Sequence, residues 1–483
     1  MQGPDTPAAA PGSSTDATVP PLRARIGQRE AMMLVLGIVI GAGIFKAPSM
    51  VADTTGSAGW MFTAWLLGGL ISMVGALCYA ELATAFPHVG GDYNFLKRAW
   101  GRGVSFLFAW SRLAVINTGS LALLGFVFGD YLQQVLPLSG LPPSAGSAVY
   151  GAAAICALWW VNSRGLRAGS MAQNWLTAIE LGGLLLVVCG GLWLWLGNGT
   201  PAPAVAAPPA AASSGLPAAF GLAMVFVLLT YGGWNEAACL SADLKQQPKA
   251  MVRSLVFSIA IITLLYLAVT WAYWQGLGIS GMAKSQAIAA DLMGRAFGPV
   301  GTAVIAAAIA IAAVTSMNAT MIVGARTSYA MGCDWAPLRR LASWDGERGT
   351  PATAMRFQNV VALLLVALGA WTGGGFRAMV EFTAPVYWLF FLLTGIGLFV
   401  LRVREPHVRR PFRVPLFPLL PAVFCATCAY MLWSSLTFVA SQNLGGINAA
   451  WVGIAVLAAG LLFLLVMGFM PAKPPLAGQR PIS

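Results

Sequence analysis

Charge is scarce in this chain. Of its 483 residues only 9% are Asp, Glu, Lys or Arg, against about 25% in an ordinary soluble domain. Apolar residues make up 58%, and the mean hydropathy is +0.75. That deficit excludes a cytosolic enzyme, a nucleic-acid binder and a disordered scaffold. Histidine is nearly missing. His88 and His407 are the two present, both in segments read as loops, which leaves no paired haem ligands and argues against a metal site inside a membrane. The sequence has no Walker A motif, no HExxH and no nucleophile elbow, so ATP-driven pumping and hydrolysis lack a motif. Seven cysteines occur, at 78, 156, 189, 239, 333, 425 and 428. Six fall in apolar runs, so no disulfide framework is visible. Cys425 and Cys428 have CxxC spacing but stand in an apolar helix without a second ligand pair, and are read as structural. No cofactor and no catalytic residue are expected.

What the chain does have is long apolar runs. They cover about 31–54, 57–82, 103–135, 146–163, 170–197, 217–241, 252–278, 297–330, 357–373, 379–401, 415–439 and 449–470. A membrane span takes roughly 20 such residues, so the pattern predicts an all-α polytopic membrane protein with twelve transmembrane helices. Residues 1–28, rich in Pro, Ala, Ser and Thr, read as a disordered cytoplasmic tail without a signal peptide, and 471–483 as a second tail. An even span count puts both termini on one side. With the termini inside, 23 Lys and Arg fall in inner segments and 3 in outer ones, which predicts cytoplasmic termini in a cell membrane, that of a bacterial inner membrane. The net charge of +12 is then loop bias, and no nucleic-acid partner is implied.

Two spans carry glycine interruptions at matching places. Gly41-Ala42-Gly43 breaks the first and Gly232-Gly233 the sixth. Interrupted helices at corresponding positions of two halves point to a transporter built from inverted repeats, because freed backbone groups are tolerated only where they line a cavity. Five spans separate the breaks. The expected halves are repeat one (about 30–197) and repeat two (about 217–402), with extra helices at about 415–470, the whole transporter domain covering 29–470.

Four motifs carry a resemblance. Gly37-Ile-Val-Ile-Gly-Ala-Gly-Ile-Phe45 resembles the G-S/A-G-I-F motif of amino acid–polyamine–organocation transporters. Tyr79-Ala-Glu-Leu, continuing through Phe86-Pro-His-Val-Gly-Gly-Asp-Tyr93, is similar to their YAEL signature. Tyr231-Gly-Gly-Trp-Asn235 resembles the L-type amino acid transporter branch, and Pro248 follows as in the family. Arg410-Pro-Phe-Arg-Val-Pro-Leu-Phe-Pro418 is similar to the loop before the eleventh helix.

The resemblance implies the LeuT-like fold, two inverted five-helix repeats plus two additional helices. It also implies a secondary active amino acid transporter working by alternating access, sodium-independent, as an exchanger or a proton-coupled permease. A polyamine or cationic amine exchanger and a transporter-fold channel or sensor are the alternatives. By the same resemblance Gly41, Ala42, Gly43 and Ile44 hold the substrate carboxylate, while Thr230, Tyr231, Gly232 and Gly233 offer carbonyls to its ammonium. Leu229 stands where the branch has an aromatic gate, for which Tyr231 or Trp234 could substitute. Asn235 matches a polar residue facing the substrate. Glu236 either packs toward water and caps polar groups or partners a substrate cation or a proton.

Charges inside spans cost roughly 2.5–3.5 kcal/mol each on insertion scales, which singles out Lys46, Arg112 and Glu180. Glu180 aligns with a lysine that fills the sodium space in sodium-independent relatives. Lys46 is expected to pair with it, either as a swapped coupling pair or as a plain salt bridge. The loop at about 136–147 contains Pro137, Pro142 and Pro143 but no cysteine, so no disulfide-linked accessory subunit is expected.

Overall fold

Inside hydrocarbon a backbone N–H or C=O has no water to pair with, so an apolar run satisfies itself as a helix. The computed structural model describes residues 32, 35–37, 39–87, 91–164, 170–198, 216–235, 248–343, 351–440, 443–444 and 447–468. In chain order its helices are α1 (Ala47–Thr55), α2 (Ala58–Ala85), α3 (Asp92–Trp100), α4 (Arg102–Leu132), α5 (Pro143–Ser163), α6 (Ser170–Asn198) and α7 (Leu216–Thr230). There follow α8 (Pro248–Lys284), α9 (Ile288–Asp334), α10 (Ala352–Thr372), α11 (Gly375–Arg404), α12 (Leu419–Ala440) and α13 (Ala449–Gly468). Among the described residues nine helices are long and apolar enough to cross a membrane, and the apolar parts of α7 and α13 form two shorter ones. The protein is thus a polytopic, helical membrane protein. Its one non-helical pairing among the described residues is a small antiparallel hairpin, Asn443–Leu444 with Ile447–Asn448, between α12 and α13. The expected tails, 1–28 and 471–483, lie outside the described residues.

Several boundaries differ from the sequence reading for identifiable reasons. α9 begins at Ile288 rather than near 297 because a short helix leads into it. Gly298 divides the two at φ +66°, ψ −158°, a backbone region open to glycine, and Pro299 then starts the longer helix, where its missing N–H costs nothing. α3 was not expected as an element at all. It is amphipathic, with Tyr93, Phe95 and Leu96 buried and Lys97 and Arg98 in its last turn, and is too short and too polar to register as a span. A π-helical turn, Arg112–Ile116, interrupts α4.

Two contacts position the bundle. The first brings α4 and α5 together backbone to backbone. A Cβ placed on Gly151 would lie 2.7 Å from the carbonyl carbon and oxygen of Gly125, and one on Gly129 would collide with the backbone of Ser147. Small residues at this spacing let membrane helices approach closely. The second is ionic. Glu81 of the Tyr-Ala-Glu-Leu motif is fully buried and accepts two hydrogen bonds from Arg402, Nε at 2.8 Å and Nη2 at 2.6 Å. It also accepts the backbone N–H of Val414 at 2.7 Å, and Arg410 Nε stands 3.6 Å away. Two sequence motifs more than three hundred residues apart therefore meet at one carboxylate. Tyr79, two residues before it, packs edge-on against Phe95, Trp234 and Phe391, joining α3 and α11 to α2.

Replacing Glu81 by Ala removes the carboxylate from a guanidinium that is only 5% exposed, that of Arg410. The cost should be about 3 kcal/mol, at the low end for a broken buried pair, because Arg402 is 20% exposed and regains some hydration. The check is the melting temperature of Glu81→Ala in detergent, which should fall clearly below that of the parent; an unchanged value would remove Glu81 from this role.

Candidate functional site

The first apolar run does not form one helix. Residues 35–37 and 39 are helical, and the Ile40 N–H still donates to Leu36 O at 2.8 Å. Gly41 is then extended, at φ −119° and ψ 178°, and Ala42–Phe45 form a single 3₁₀ turn. Lys46, at φ −130°, separates that turn from α1. Glycine is a poor helix former, and a proline clashes with the carbonyl four residues before it. Gly41, Gly43 and Pro48 together weaken a continuous helix here, while Pro48 is well placed in the first turn of α1. The first amides of each new turn have no partner within it.

The sixth run ends early for a similar reason. α7 stops at Thr230, the Tyr231 and Gly232 N–H groups close a turn onto Val227 O at 3.0 Å and Leu229 O at 3.1 Å, and Gly233 takes φ +104°. Trp234 and Asn235 are helical again. Glu236 and the rest of the expected span to 241 lie outside the described residues.

These two breaks face each other. A Cβ on Gly43 would stand 3.5 Å from Cγ2 of Thr230. The Tyr266 hydroxyl of α8 lies 3.3 Å from Val39 O and 3.4 Å from Thr230 O, sharing one proton between carbonyls at the two interruptions. Tyr131 of α4 donates to Phe45 O at 2.5 Å and accepts the Ala289 N–H at 3.3 Å. Ser316 Oγ of α9 lies 4.0 Å from where a Gly41 Cβ would be, and the Tyr387 hydroxyl of α11 lies 3.5 Å from the corresponding point on Gly232.

The structure brings together Gly41, Ala42, Gly43, Ile44 and Thr230, with Ala42 and Ile44 wholly buried. It does not present the other motif side chains toward that point. The Tyr231 ring is fully buried, lies near Trp65 and Tyr266, and donates its hydroxyl proton to Trp65 O at 3.0 Å. The Trp234 ring stacks on Phe391 at 5.4 Å. Asn235 donates to Asp92 Oδ2 at 3.4 Å, toward α3. Arg112 Nη2 stands 3.4 Å from Asn117 Oδ1.

The expected partnership of Lys46 with Glu180 is corrected. The Lys46 ammonium, 2% exposed, reaches Asp130 Oδ2 at 2.7 Å, the carbonyl oxygen of Gln286 at 2.5 Å and Gln286 Oε1 at 3.2 Å. Its three protons are taken, and none goes to Glu180. Glu180 sits on α6 at 3% exposure, without a hydrogen bond or ion pair among the described residues. One turn along, a Cβ on Gly183 would lie 3.7 Å from Phe45 Cζ, so α6 passes beside the 3₁₀ turn.

Sequence reasoning missed Asp130, Tyr131, Tyr266, Ser316 and Tyr387. A signal existed for Asp130, an acid inside the apolar run 103–135, to which the insertion-cost argument applies as it does to Lys46. Tyrosine and serine carry no such mark, since both are ordinary in membrane helices.

A polytopic helical bundle with two broken helices opposed across a polar point has the architecture of a membrane transporter. Comparison with known proteins narrows the class: the amino acid permease family matches residues 26–482. The chain belongs to that family, whose members are permeases and not enzymes. It is 28% identical over 404 residues to the b(0,+)-type amino acid transporter 1 of Mus musculus, covering 84% of this chain and 81% of the relative. It is 28% identical over 422 residues to the large neutral amino acids transporter small subunit 2 of Homo sapiens, covering 86% and 76%. For the Mus musculus form of the latter the figures are 29% over 441 residues, 89% and 80%.

Tyr266→Phe tests the link between the breaks. Removing the shared donor leaves two buried carbonyls short of a partner, a cost of about 1–3 kcal/mol, to be read as a lowered melting temperature. A Tyr266→Phe protein as stable as its parent would show that the hydroxyl joins nothing.

Proposed function

We propose that this permease moves an amino acid across the membrane by alternating access, as a secondary active transporter. Its substrate sits between the interruption at Gly41–Ile44 and the one at Thr230–Gly233. The observation that carries this reading is that the two interruptions face each other, a Cβ built on Gly43 falling 3.5 Å from Cγ2 of Thr230. Around it, amides at the start of helical turns suit a carboxylate, and carbonyls at the end of α7 suit an ammonium. Ala42 supplies no hydroxyl, so the carboxylate is held by backbone alone.

In this reading the broken first run, α2, α4–α6 and α7–α13 make twelve spans. The first ten form two inverted five-helix repeats, and both termini are cytoplasmic in a bacterial inner membrane. Transport is sodium-independent, and Glu180 is the group that decides between exchange and proton coupling. It stands on α6 beside the 3₁₀ turn without a lysine to hold it charged. One relative is by name a small subunit. In this chain the connection between α4 and α5, residues 133–142, contains no cysteine, which supports transport without a disulfide-linked accessory subunit.

The test is uptake and counterflow of a labelled amino-acid panel in proteoliposomes. A carrier accelerates labelled uptake against internal unlabelled substrate, whereas a channel only equilibrates it. At the site, Gly43→Ala should retain transport, because its Cβ meets Thr230 at ordinary van der Waals distance. Gly43→Val should abolish it in a well-inserted protein, its γ-methyl groups filling the gap and stiffening the backbone. Saturable uptake by Gly43→Val would displace the site. For coupling, Glu180→Gln should retain counterflow and lose acceleration by an inward proton gradient. If the parent shows no such acceleration and Glu180→Gln exchanges normally, the protein is an exchanger and Glu180 does not couple.

A further inference from the structure

Beyond the substrate site lies a second polar centre. The Lys46 ammonium is enclosed by three oxygens of different kinds: a carboxylate, a backbone carbonyl and a side-chain amide carbonyl. They come from α4 (Asp130) and from the connection between α8 and α9 (Gln286). Asp130 is further fixed by Ser147 Oγ of α5, which donates to its other oxygen at 2.6 Å. On the opposite flank, Ser49 of α1 donates to Ser285 O at 2.8 Å, and Ser285 Oγ donates to Asp291 Oδ2 at 2.5 Å. All three atoms that meet the ammonium are oxygen acceptors, one of them charged, a set that suits a monovalent cation.

The geometry points to a built cation site between α1, α4 and the α8–α9 connection, occupied by a cation that the chain itself supplies on a side-chain tether. The Lys46 ammonium takes the place of an ion from solution. Buried charges persist only when paired and fully hydrogen-bonded, and here one tethered charge neutralises Asp130 while joining three segments. The joint is therefore permanent. It holds whatever the ionic composition outside, whereas a site for a free ion would fill and empty with concentration. If the protein is the transporter proposed above, this centre needs no external cation during its cycle, but the site itself does not rest on that reading.

Removing the tether should expose the site. Asp130 is 16% exposed, so a small ion has a way in. In Lys46→Ala, ammonium chloride should raise the melting temperature of the detergent-solubilised protein in a saturating manner, as expected for a ligand that binds the folded state alone. Ammonium is the closest probe because it makes the same charge-assisted hydrogen bonds. Choline chloride at equal ionic strength, too bulky to enter, should not, and neither salt should stabilise the parent differently. Asp130→Asn in the Lys46→Ala background should abolish the ammonium response. Absence of a saturating response in Lys46→Ala, or its survival in the double variant, overturns the proposal. If Lys46→Ala does not fold in either salt, Asp130→Asn and Lys46→Met/Asp130→Leu decide. The centre requires the single variant to be destabilised and the apolar double variant to recover; a double variant no better than the single overturns it. Because melting is the readout, these outcomes stand even if no amino acid in the panel is transported.

Discussion

A backbone amide within a bilayer must find its partner inside the protein, and that constraint gives the broken helices their meaning. At an interrupted helix several N–H and C=O groups lose their partners together. The chain meets part of the shortfall with phenols. Tyr266 serves Val39 and Thr230, and Tyr131 serves Phe45 while accepting from Ala289. A phenol suits this work because it brings a donor into an otherwise apolar interior on a rigid aromatic body. The amides around Gly41–Gly43 lie where the two interruptions meet, which is where the substrate is proposed to sit.

The polytopic helical architecture was legible because it rests on the strongest signal a sequence carries, long apolar runs with polar interruptions. The breaks were legible from Gly41, Gly43, Gly232 and Gly233, residues that act through local backbone preference. What escaped were facts of rotation about a helix axis. Nothing in the order of residues says that the Tyr231 ring turns toward Trp65, that Asn235 turns toward Asp92, or that Lys46 meets α4 instead of α6. Glu180 and Asp130 are equally unusual in apolar surroundings, and the choice between them is made by three-dimensional approach. α3 was lost for another reason: nine residues with a polar face give neither a span nor a turn signature.

Glu81 and Lys46 show two uses of a buried charge. Around Glu81 the positive partners come from α11 and the segment following it, so the contact ties sequence-distant parts of the chain into a single end of the bundle. At Lys46 the charge adjoins the helix interruption itself and fixes how α1 leaves it. Both charges cost solvation free energy and both are surrounded by hydrogen-bond partners on several sides, the condition under which such burial is sustained.

The glycine contact between α4 and α5 has a mechanical consequence. Side chains normally separate two helices and act as a bearing, since rotamer changes let the helices slide. Where Gly151 meets Gly125 and Gly129 meets Ser147 there is no such layer, and backbone lies directly against backbone. They therefore form one stiff plate. Asp130, the partner of Lys46, and Ser147, which donates to it, belong to the two halves of that plate. Any displacement of α1 is consequently measured against a fixed abutment, and strain applied at the interruption is carried into α4 and α5 as a unit instead of being absorbed between them.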